Sequence, residues 1–277
     1  MRNRPVLTKI PYEEEVQLKT KEEILRLSYS GRLVATILDE LKSTVRPGVT
    51  TGTIERLCNS RVEHYSNRWT IERFSEFPTY LSISVNEVAA HGSPGTYMLR
   101  TGDIVTLDLV LRVNGWYGDA AITVPVGVST PSNAQLIQTA RRATLRGIEK
   151  ARAGARIGDI GAEIEAVAKQ FGCRVIENLI GHGIGRELHE GPAVFSNGEL
   201  GVGAPIVPGM VFTIEPVITN GTGEIYTEDG KTAYRTIDKR STAVFEHTIA
   251  ILSDRTLVLT KVNQTDISSC HKFGNLL

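Results

Sequence analysis

The chain has 277 residues, of which 41% are hydrophobic and 22% charged, proportions typical of a globular protein with one large domain or two small ones. Its 31 basic and 31 acidic residues cancel, which argues against a nucleic-acid or anionic-membrane partner. No apolar run is long enough to span a bilayer, and the scattered Cys58, Cys173 and Cys270 form neither a disulfide framework nor a CxxC zinc motif. We therefore expect a cytoplasmic protein.

The first elements in chain order are two helices and a short strand. Residues 1–19 are predicted to form an irregular arm, and Thr20 begins a capping box that starts the first helix. Apolar residues then recur every three or four positions, which predicts an amphipathic helix that ends near residues 46–48. A second helix is expected from about Thr53, and Leu81–Val85 is predicted to be a strand.

A β-hairpin is predicted over residues 105–124, where β-branched and apolar residues flank Asn114-Gly115. Asn-Gly is the preferred pair for a two-residue type I′ turn. With this turn, Asp108 and Asp119 lie on the same face of the two strands. Two buried carboxylates so close together need a shared proton, a cationic side chain or a metal ion. The alternative is that both acids are solvated near strand ends.

Two further helices are expected after the hairpin. Ser132 and Asn133 can cap the first of them, which is predicted to continue to Lys150. Asp159 can cap the second, which is predicted to continue to Phe171. Both predictions follow from the helical spacing of the apolar residues between these points.

Two strands near the end of the second half each contain a glutamate. Residues 211–218 include Glu215, and residues 242–252 include Glu246 amid β-branched neighbours. Residues 219–240 between them are glycine-rich and charged, and we expect them to form an exposed excursion.

The second half of the chain repeats features of the first. Residues 46–54 and 152–160 share an arginine, two glycines and an isoleucine. In each half a His-Gly pair follows, and then a strand that carries a carboxylate. The matching residues are His91 with His182 and Asp108 with Glu215. Two related halves of mixed helix and strand are therefore predicted, with the acids meeting at their interface.

The candidate ligands share one chemistry, because they are oxygen and imidazole donors on strands or tight turns. They are Asp108, Asp119, His182, Glu215 and Glu246. Such donors suit hard or borderline divalent cations, and two ions about 3.5–4 Å apart neutralise four carboxylates better than one. A phosphate-binding role for the Gly-rich segment 181–185 is disfavoured, because no Walker lysine accompanies it.

Four segments in this order resemble the signature segments of type I methionine aminopeptidases: residues 84–92, 181–192, 210–216 and 245–249. The similarity covers roughly residues 20–252. It implies the pita-bread fold, an α/β (α+β) architecture in which two pseudo-symmetric halves share a central, mainly antiparallel sheet covered by helices. The implied catalytic domain is 20–260, with halves at about 20–130 and 131–252, and residues 261–277 form a polar tail.

The resemblance also implies a role for each candidate ligand. Asp108 would hold one metal ion, His182 with Glu215 the other, and Asp119 and Glu246 would bridge the two. The ions would be Co, Mn, Fe or Zn, and a water or hydroxide between them would be the nucleophile. The implied reaction is the release of N-terminal methionine from newly made polypeptides.

Further residues match positions that act on the substrate in this family. Glu215 would shuttle the proton to the leaving amine, His91 would contact the scissile amide nitrogen, and His189 would polarise the carbonyl. Pocket candidates are Phe77, Ser82 and Phe195. We expect a monomer that acts on peptide N-termini near the ribosome.

The sequence departs from the family in the pocket. Ser82 and Ala90 stand where cysteines are common, and Lys231 appears where an indole is often found. These changes leave other functions open. An aminopeptidase with another N-terminal preference, including Xaa-Pro, is the nearest alternative. An inactive binding protein of the same fold is a more distant one, because such proteins usually lose metal ligands and this chain keeps all five.

Overall fold

The structure is a computed structural model that describes residues 16–228 and 232–262. The helices are α1 (Lys21–Lys42), α2 (Thr51–Ser66), α3 (Pro131–Lys150) and α4 (Ile157–Gln170). The strands are β1 (Ile71–Glu72), β2 (Leu81–Val85), β3 (Val88–Ala90), β4 (Ile104–Val113), β5 (Trp116–Pro125), β6 (Arg174–Val175), β7 (Gly181–Gly183), β8 (Glu190–Val194), β9 (Val211–Ile214), β10 (Val217–Thr219), β11 (Ile225–Thr227), β12 (Tyr234–Thr236), β13 (Thr242–Val244), β14 (His247–Ile251) and β15 (Thr256–Val258). Among the described residues, no helix combines the length and apolar character needed to cross a membrane.

The strands pair in antiparallel fashion in four sheets. In the first half, β4 pairs with β5 on one side and with β1 and β2 on the other. In the second half, the order is β15-β14-β9-β7-β8. Two smaller sheets have the orders β13-β10-β6 and β11-β12-β3. One apolar core lies between α1, α2 and the first sheet, and another lies around α3 and α4.

The predicted hairpin and its register are confirmed. Asn114 and Gly115 both have positive φ, at 50° and 83°, as a type I′ turn requires. Val113 lies opposite Trp116, and the pairing continues without interruption along β4 and β5. This long regular ladder fixes the two aspartates relative to each other.

The two repeated segments have the same local structure. Gly48 and Gly154 hold equivalent positions with φ of 85° and 87°, and each donates its N–H to a distant backbone carbonyl. Four residues later, Gly52 and Gly158 each lie so close to a carbonyl oxygen that a Cβ would come within 2.9 Å and 2.5 Å of it. The shared sequence therefore reflects a shared turn and a shared close approach at the start of α2 and α4.

Hydrogen bonds across β5 join the two halves. The Thr123 hydroxyl accepts from the Val244 N–H and donates to the Val244 carbonyl, both at 2.8 Å. The N–H of Glu246 donates to the carbonyl of Ala121 at 2.9 Å. Residues 244–246 of the second half are thus fixed to β5 of the first half, at the point where the candidate ligands lie.

The helix boundaries correct two predicted caps. Thr130, and not Ser132 or Asn133, caps α3, and its hydroxyl accepts the Asn133 N–H. The capping box at the start of α1 is confirmed. Asp159 lies within the first turn of α4, where its carboxylate accepts the N–H of Arg156. An acidic residue in the first turn is favoured by the helix dipole and by the N–H of the residue that precedes the helix, so Asp159 marks a helix start that lies three residues earlier, at Arg156.

The strands expected at 211–218 and 242–252 are both interrupted at the candidate ligand. Glu215 and Pro216 separate β9 from β10, and Glu246 lies between β13 and β14. Pro216 has no N–H to give to a ladder. Glu215 and Glu246 therefore lie at breaks in the strands and not within regular strand geometry.

The exposed excursion expected at 219–240 is only partly exposed. It contains the hairpin of β11 and β12, and β12 pairs with β3, with Tyr234 opposite Ala90. Ile225 and Thr236 are buried. The glycine-rich, charged composition of residues 219–240 did not indicate this hairpin, which pairs with β3 of the first half.

The close contact between α1 and β5 yields a stability prediction. A Cβ on Gly118 would lie 2.6 Å from the Ser30 carbonyl carbon, so Gly118→Ala must push α1 from β5. We expect a loss of about 2 kcal/mol in the free energy of unfolding, measured by urea denaturation. Gly95→Ala is the control, because its Cβ would meet nothing within 4 Å. Equal effects of the two substitutions would contradict the packing argument.

Candidate metal centre

The two strands of the hairpin present two aspartates to one point. Asp108 lies opposite Ala121, and Asp119 lies opposite Val110, so the side chains share a face. Carboxylate oxygens of Asp108, Asp119 and Glu246 all lie within 4.8 Å of one another. Asp119 and Glu246 are only 5% and 3% exposed. Three acids from both halves therefore form a compact, largely buried cluster.

Glu215 and His182 complete the cluster from the second half. His182 Nε2 lies 3.4 Å from Glu215 Oε1 and 3.8 Å from Asp119 Oδ2. His182 Nδ1 is 3.0 Å from the Gly183 carbonyl oxygen, and a proton there leaves the Nε2 lone pair directed at the acids. The Thr213 hydroxyl accepts a hydrogen bond from the backbone N–H of His182 and donates one to Glu215 Oε1. All five predicted ligand candidates are thus brought together.

The glycines beside His182 have a steric explanation. A Cβ on Gly181 would lie 2.6 Å from the Thr213 carbonyl oxygen, and one on Gly183 would overlap the Gly191 carbonyl. The Gly-His-Gly pattern therefore reflects the close packing of β7 between β8 and β9.

Burial raises the pKa of all four carboxyl groups, and neighbouring carboxylates raise the pKa of three of them further. Burial raises the pKa of Asp108 to about 7. Burial and the Asp108 charge raise that of Glu215 to about 8, against the hydrogen bond from Thr213. The pKa values of Asp119 and Glu246 are raised well above their usual range by burial and by the neighbouring carboxylates. The metal-free cluster therefore holds protons at neutral pH.

The donor set fits divalent metal ions. Asp119 Oδ1 and Glu246 Oε1 are buried and have no hydrogen-bond partner. No lysine or arginine lies among the described residues that line the cavity. Burial lowers the pKa of His182 to about 3, so its imidazole is neutral and able to coordinate. Unpaired buried oxygens and a neutral imidazole are what a cation site requires.

Two further histidines, in loops, line the same cavity as the cluster. The His189 ring centroid lies 4.5 Å from that of His182. His91 has a φ of 54°, an unusual conformation for a residue other than glycine. Its ring lies 5.0 Å from that of Phe77 and 5.5 Å from that of Tyr234. Burial, followed by the His189 charge, lowers the pKa of His91.

The cluster lies in a cavity of about 450 Å³ whose walls are mostly apolar. Phe77 lines it, but Ser82 and Phe195 are not among its lining residues. The cavity reaches β2 at Ser84. At Phe195 the chain has left β8 and its carbonyl packs against Gly161 of α4.

The walls include residues that sequence reasoning missed. Leu179 and Tyr234 line the cavity; Tyr234 belongs to the excursion that was expected to be exposed. The pairing of β12 with β3 brings it there, and no local signal in the sequence indicates that pairing. Ala90 also lines the cavity, whereas Lys231 lies outside the described residues.

The chain is similar to known metallopeptidases along most of its length. Residues 26–253 match the sequence profile of metallopeptidase family M24. A methionine aminopeptidase of Clostridium perfringens is 36% identical over 245 residues, which cover 88% of this chain and 98% of that protein. The crystal structure of the methionine aminopeptidase from Rickettsia prowazekii has a TM-score of 0.85 at 32% identity, over 89% of this chain and all of that one.

A more distant likeness concerns the fold alone. An Xaa-Pro dipeptidase from Bacillus anthracis has a TM-score of 0.69 at 22% identity, and the similarity covers 63% of that longer chain. These likenesses confirm the predicted α+β class and the pita-bread fold.

The raised carboxyl pKa values predict how the metal-free protein responds to pH. The folded state binds protons that the unfolded chain, with ordinary carboxyl pKa values, has lost, so stability must fall as pH rises. His182, with its pKa lowered to about 3, acts in the opposite direction, but only below the ordinary histidine pKa of about 6.5. From pH 6.5 to 8 the carboxyl effect remains, and we expect a loss of roughly 2 kcal/mol.

Thermal unfolding in the presence of a chelator measures this loss. Added divalent metal should abolish it, because the ions replace the protons. Asp108→Asn should make the decline shallower, since it removes one of the titrating groups. An equal unfolding temperature at pH 6.5 and pH 8 without metal would show that the cluster does not hold protons.

Proposed function

The chain belongs to metallopeptidase family M24, and from that premise we propose that it removes N-terminal methionine from polypeptides by metal-dependent hydrolysis. One observation carries the proposal: four carboxylates and an imidazole from both halves converge in an apolar cavity. The curated relatives that share this architecture over nearly their whole length are methionine aminopeptidases.

The proposed cofactor is a pair of divalent ions. Asp108 would hold one ion, His182 with Glu215 would hold the second, and Asp119 and Glu246 would bridge them. Two ions are proposed because four carboxylates carry more charge than one divalent ion neutralises. Co, Mn, Fe and Zn all accept this mixture of oxygen and imidazole donors, and their availability in the cell decides among them.

Metal ions at this position supply an activated water and polarise the scissile carbonyl. His189 is placed beside His182, and we assign it the donation of an N–H to the substrate's carbonyl oxygen as negative charge develops there. Glu215, held by the Thr213 hydroxyl, is assigned the transfer of a proton to the leaving amine. His91 is assigned to contact the nitrogen of the scissile amide.

The apolar wall is the proposed pocket for the first side chain of the substrate. Phe77, Ala90, Leu179 and Tyr234 contribute to it. A wall without charged groups suits an unbranched thioether such as methionine. The free α-amino group would bind beside the carboxylates, which makes the enzyme an exopeptidase.

We place this activity in the cytoplasm, in a monomer that acts on newly made polypeptides near the ribosome. The support is chemical: the substrate is the first residue of a new chain, which is available where the chain is made, and a net charge of zero does not favour binding to anionic membranes.

The first experiment is a panel of Xaa-Ala-Ser tripeptides, with an Xaa-Pro member added. Each peptide is incubated with the protein and added Mn or Co, and in parallel with a chelator. We expect metal-dependent release of methionine and little release of other residues. Release of a different first residue would mean that the protein is a metal-dependent aminopeptidase with another specificity. No release from any peptide would refute the proposed function.

Two substitutions separate ligands from substrate-binding groups. Asp108→Asn should lower bound metal and abolish turnover, because it removes a proposed ligand. His189→Ala should retain the metal and lower kcat by about 10²–10³-fold, the usual effect of removing one oxyanion donor. Metal content by mass spectrometry and tripeptide kinetics test both. Loss of metal in His189→Ala would show that His189 is a ligand.

A further inference from the structure

A buried ion pair lies beside the loop that carries His189. Lys19 Nζ is 2.5 Å from Glu190 Oε2, and the two side chains are 4% and 5% exposed. Lys19 belongs to the segment before α1, and its N–H donates to the Gly209 carbonyl. Val16 forms a parallel bridge with Gly191. The end of the N-terminal arm therefore docks on the second half of the molecule.

Glu190 connects this pair to the rest of the loop. Its second oxygen, Oε1, accepts the N–H groups of Arg186 and Glu187 at 3.0 Å and 3.2 Å. Glu190 directly follows His189 and itself lines the cavity. One carboxylate thus holds both ends of the segment 186–190, and the ammonium of Lys19 holds the carboxylate.

The opposite side of the loop is fixed to β5. The Tyr117 N–H donates to the Gly185 carbonyl at 2.9 Å. The Arg186 guanidinium lies 4.4 Å from the centre of the Trp116 ring. A Cβ on Gly185 would overlap Glu190 Oε1 and lie 2.7 Å from Lys19 Nζ. Gly185 therefore leaves the space that the ion pair occupies.

We propose that Lys19 and Glu190 are positioning residues that hold the loop 184–190 so that His189 faces the substrate's carbonyl oxygen. The proposal rests on the proposed function, because it concerns the substrate of that site. Removing one partner of a buried pair leaves an uncompensated charge, and the loop must then rearrange around Glu190. The arm before α1 thereby contributes to catalysis without touching substrate.

Lys19→Met tests this role, because methionine keeps an unbranched side chain and removes the charge. We expect kcat to fall about 10- to 100-fold, the range found for groups that orient metal ligands, with KM changed less and metal content unchanged. Lys19→Arg should restore much of kcat. Lys21→Met, at an exposed lysine two residues away, is the matched control and should leave both constants unchanged.

The same substitution in the His189→Ala variant shows whether Lys19 acts through His189. In His189→Ala, the additional Lys19→Met substitution should lower kcat by less than about threefold, because residues that act as a unit are not additive. A full additional loss, or loss of metal in Lys19→Met alone, would overturn the positioning role and leave only a structural one.

Amide hydrogen exchange tests the same loop without relying on activity. Exchange at Arg186 and Glu187 should be at least about tenfold faster in metal-loaded Lys19→Met than in the unsubstituted protein. Unchanged exchange would refute the proposal even if peptides are cleaved. If the unsubstituted protein cleaves no peptide, the proposed function fails, while exchange still decides whether Lys19 holds the loop. Should Lys19→Met not fold, Glu190→Gln is measured in its place.

Discussion

Four carboxylates that converge on one site set the main constraint on this fold, and three of them, Asp108, Asp119 and Glu246, have oxygens within 4.8 Å of one another. Two like charges 4 Å apart repel by about 4 kcal/mol even at an effective dielectric constant of 20. The structure must therefore prevent the acids from moving apart when they ionise. The uninterrupted pairing of β4 with β5 does this for Asp108 and Asp119, because neither strand can shift without breaking many backbone hydrogen bonds at once.

Glu246 is held by the junction between the halves, whereas Glu215 is held within the second half by the Thr213 hydroxyl. Glu246 lies in the break between β13 and β14, and its N–H donates to Ala121 of β5 instead of to a strand of its own half. The Thr123 hydroxyl links the same two segments. A displacement of one half against the other would therefore change the distances within the cluster directly.

Local rules in the sequence predicted the parts of the structure that depend on few residues. The Asn114-Gly115 turn determines the hairpin register, and the equivalent glycines of the two repeated segments indicate equivalent turns. The breaks at Glu215 and Glu246 were not predicted, since their β-branched neighbours are typical of continuous strands. The pairing of β12 with β3 depends on contacts distant in sequence, and for the same reason Tyr234 was missed as a wall of the cavity.

The carboxylates and the two cavity histidines outside the cluster are positioned in different ways. All four acids of the cluster lie on strands or in breaks of strands, whereas His91 and His189 lie in loops, which have fewer backbone pairings to hold them. Each loop is instead supported by a segment whose composition suggested a peripheral role. The excursion supplies Tyr234 against His91, and the N-terminal arm supplies Lys19 against Glu190. Because a catalytic group must be held to within about 0.5 Å, these two segments are part of the site even though they lie outside its helices and its two largest sheets.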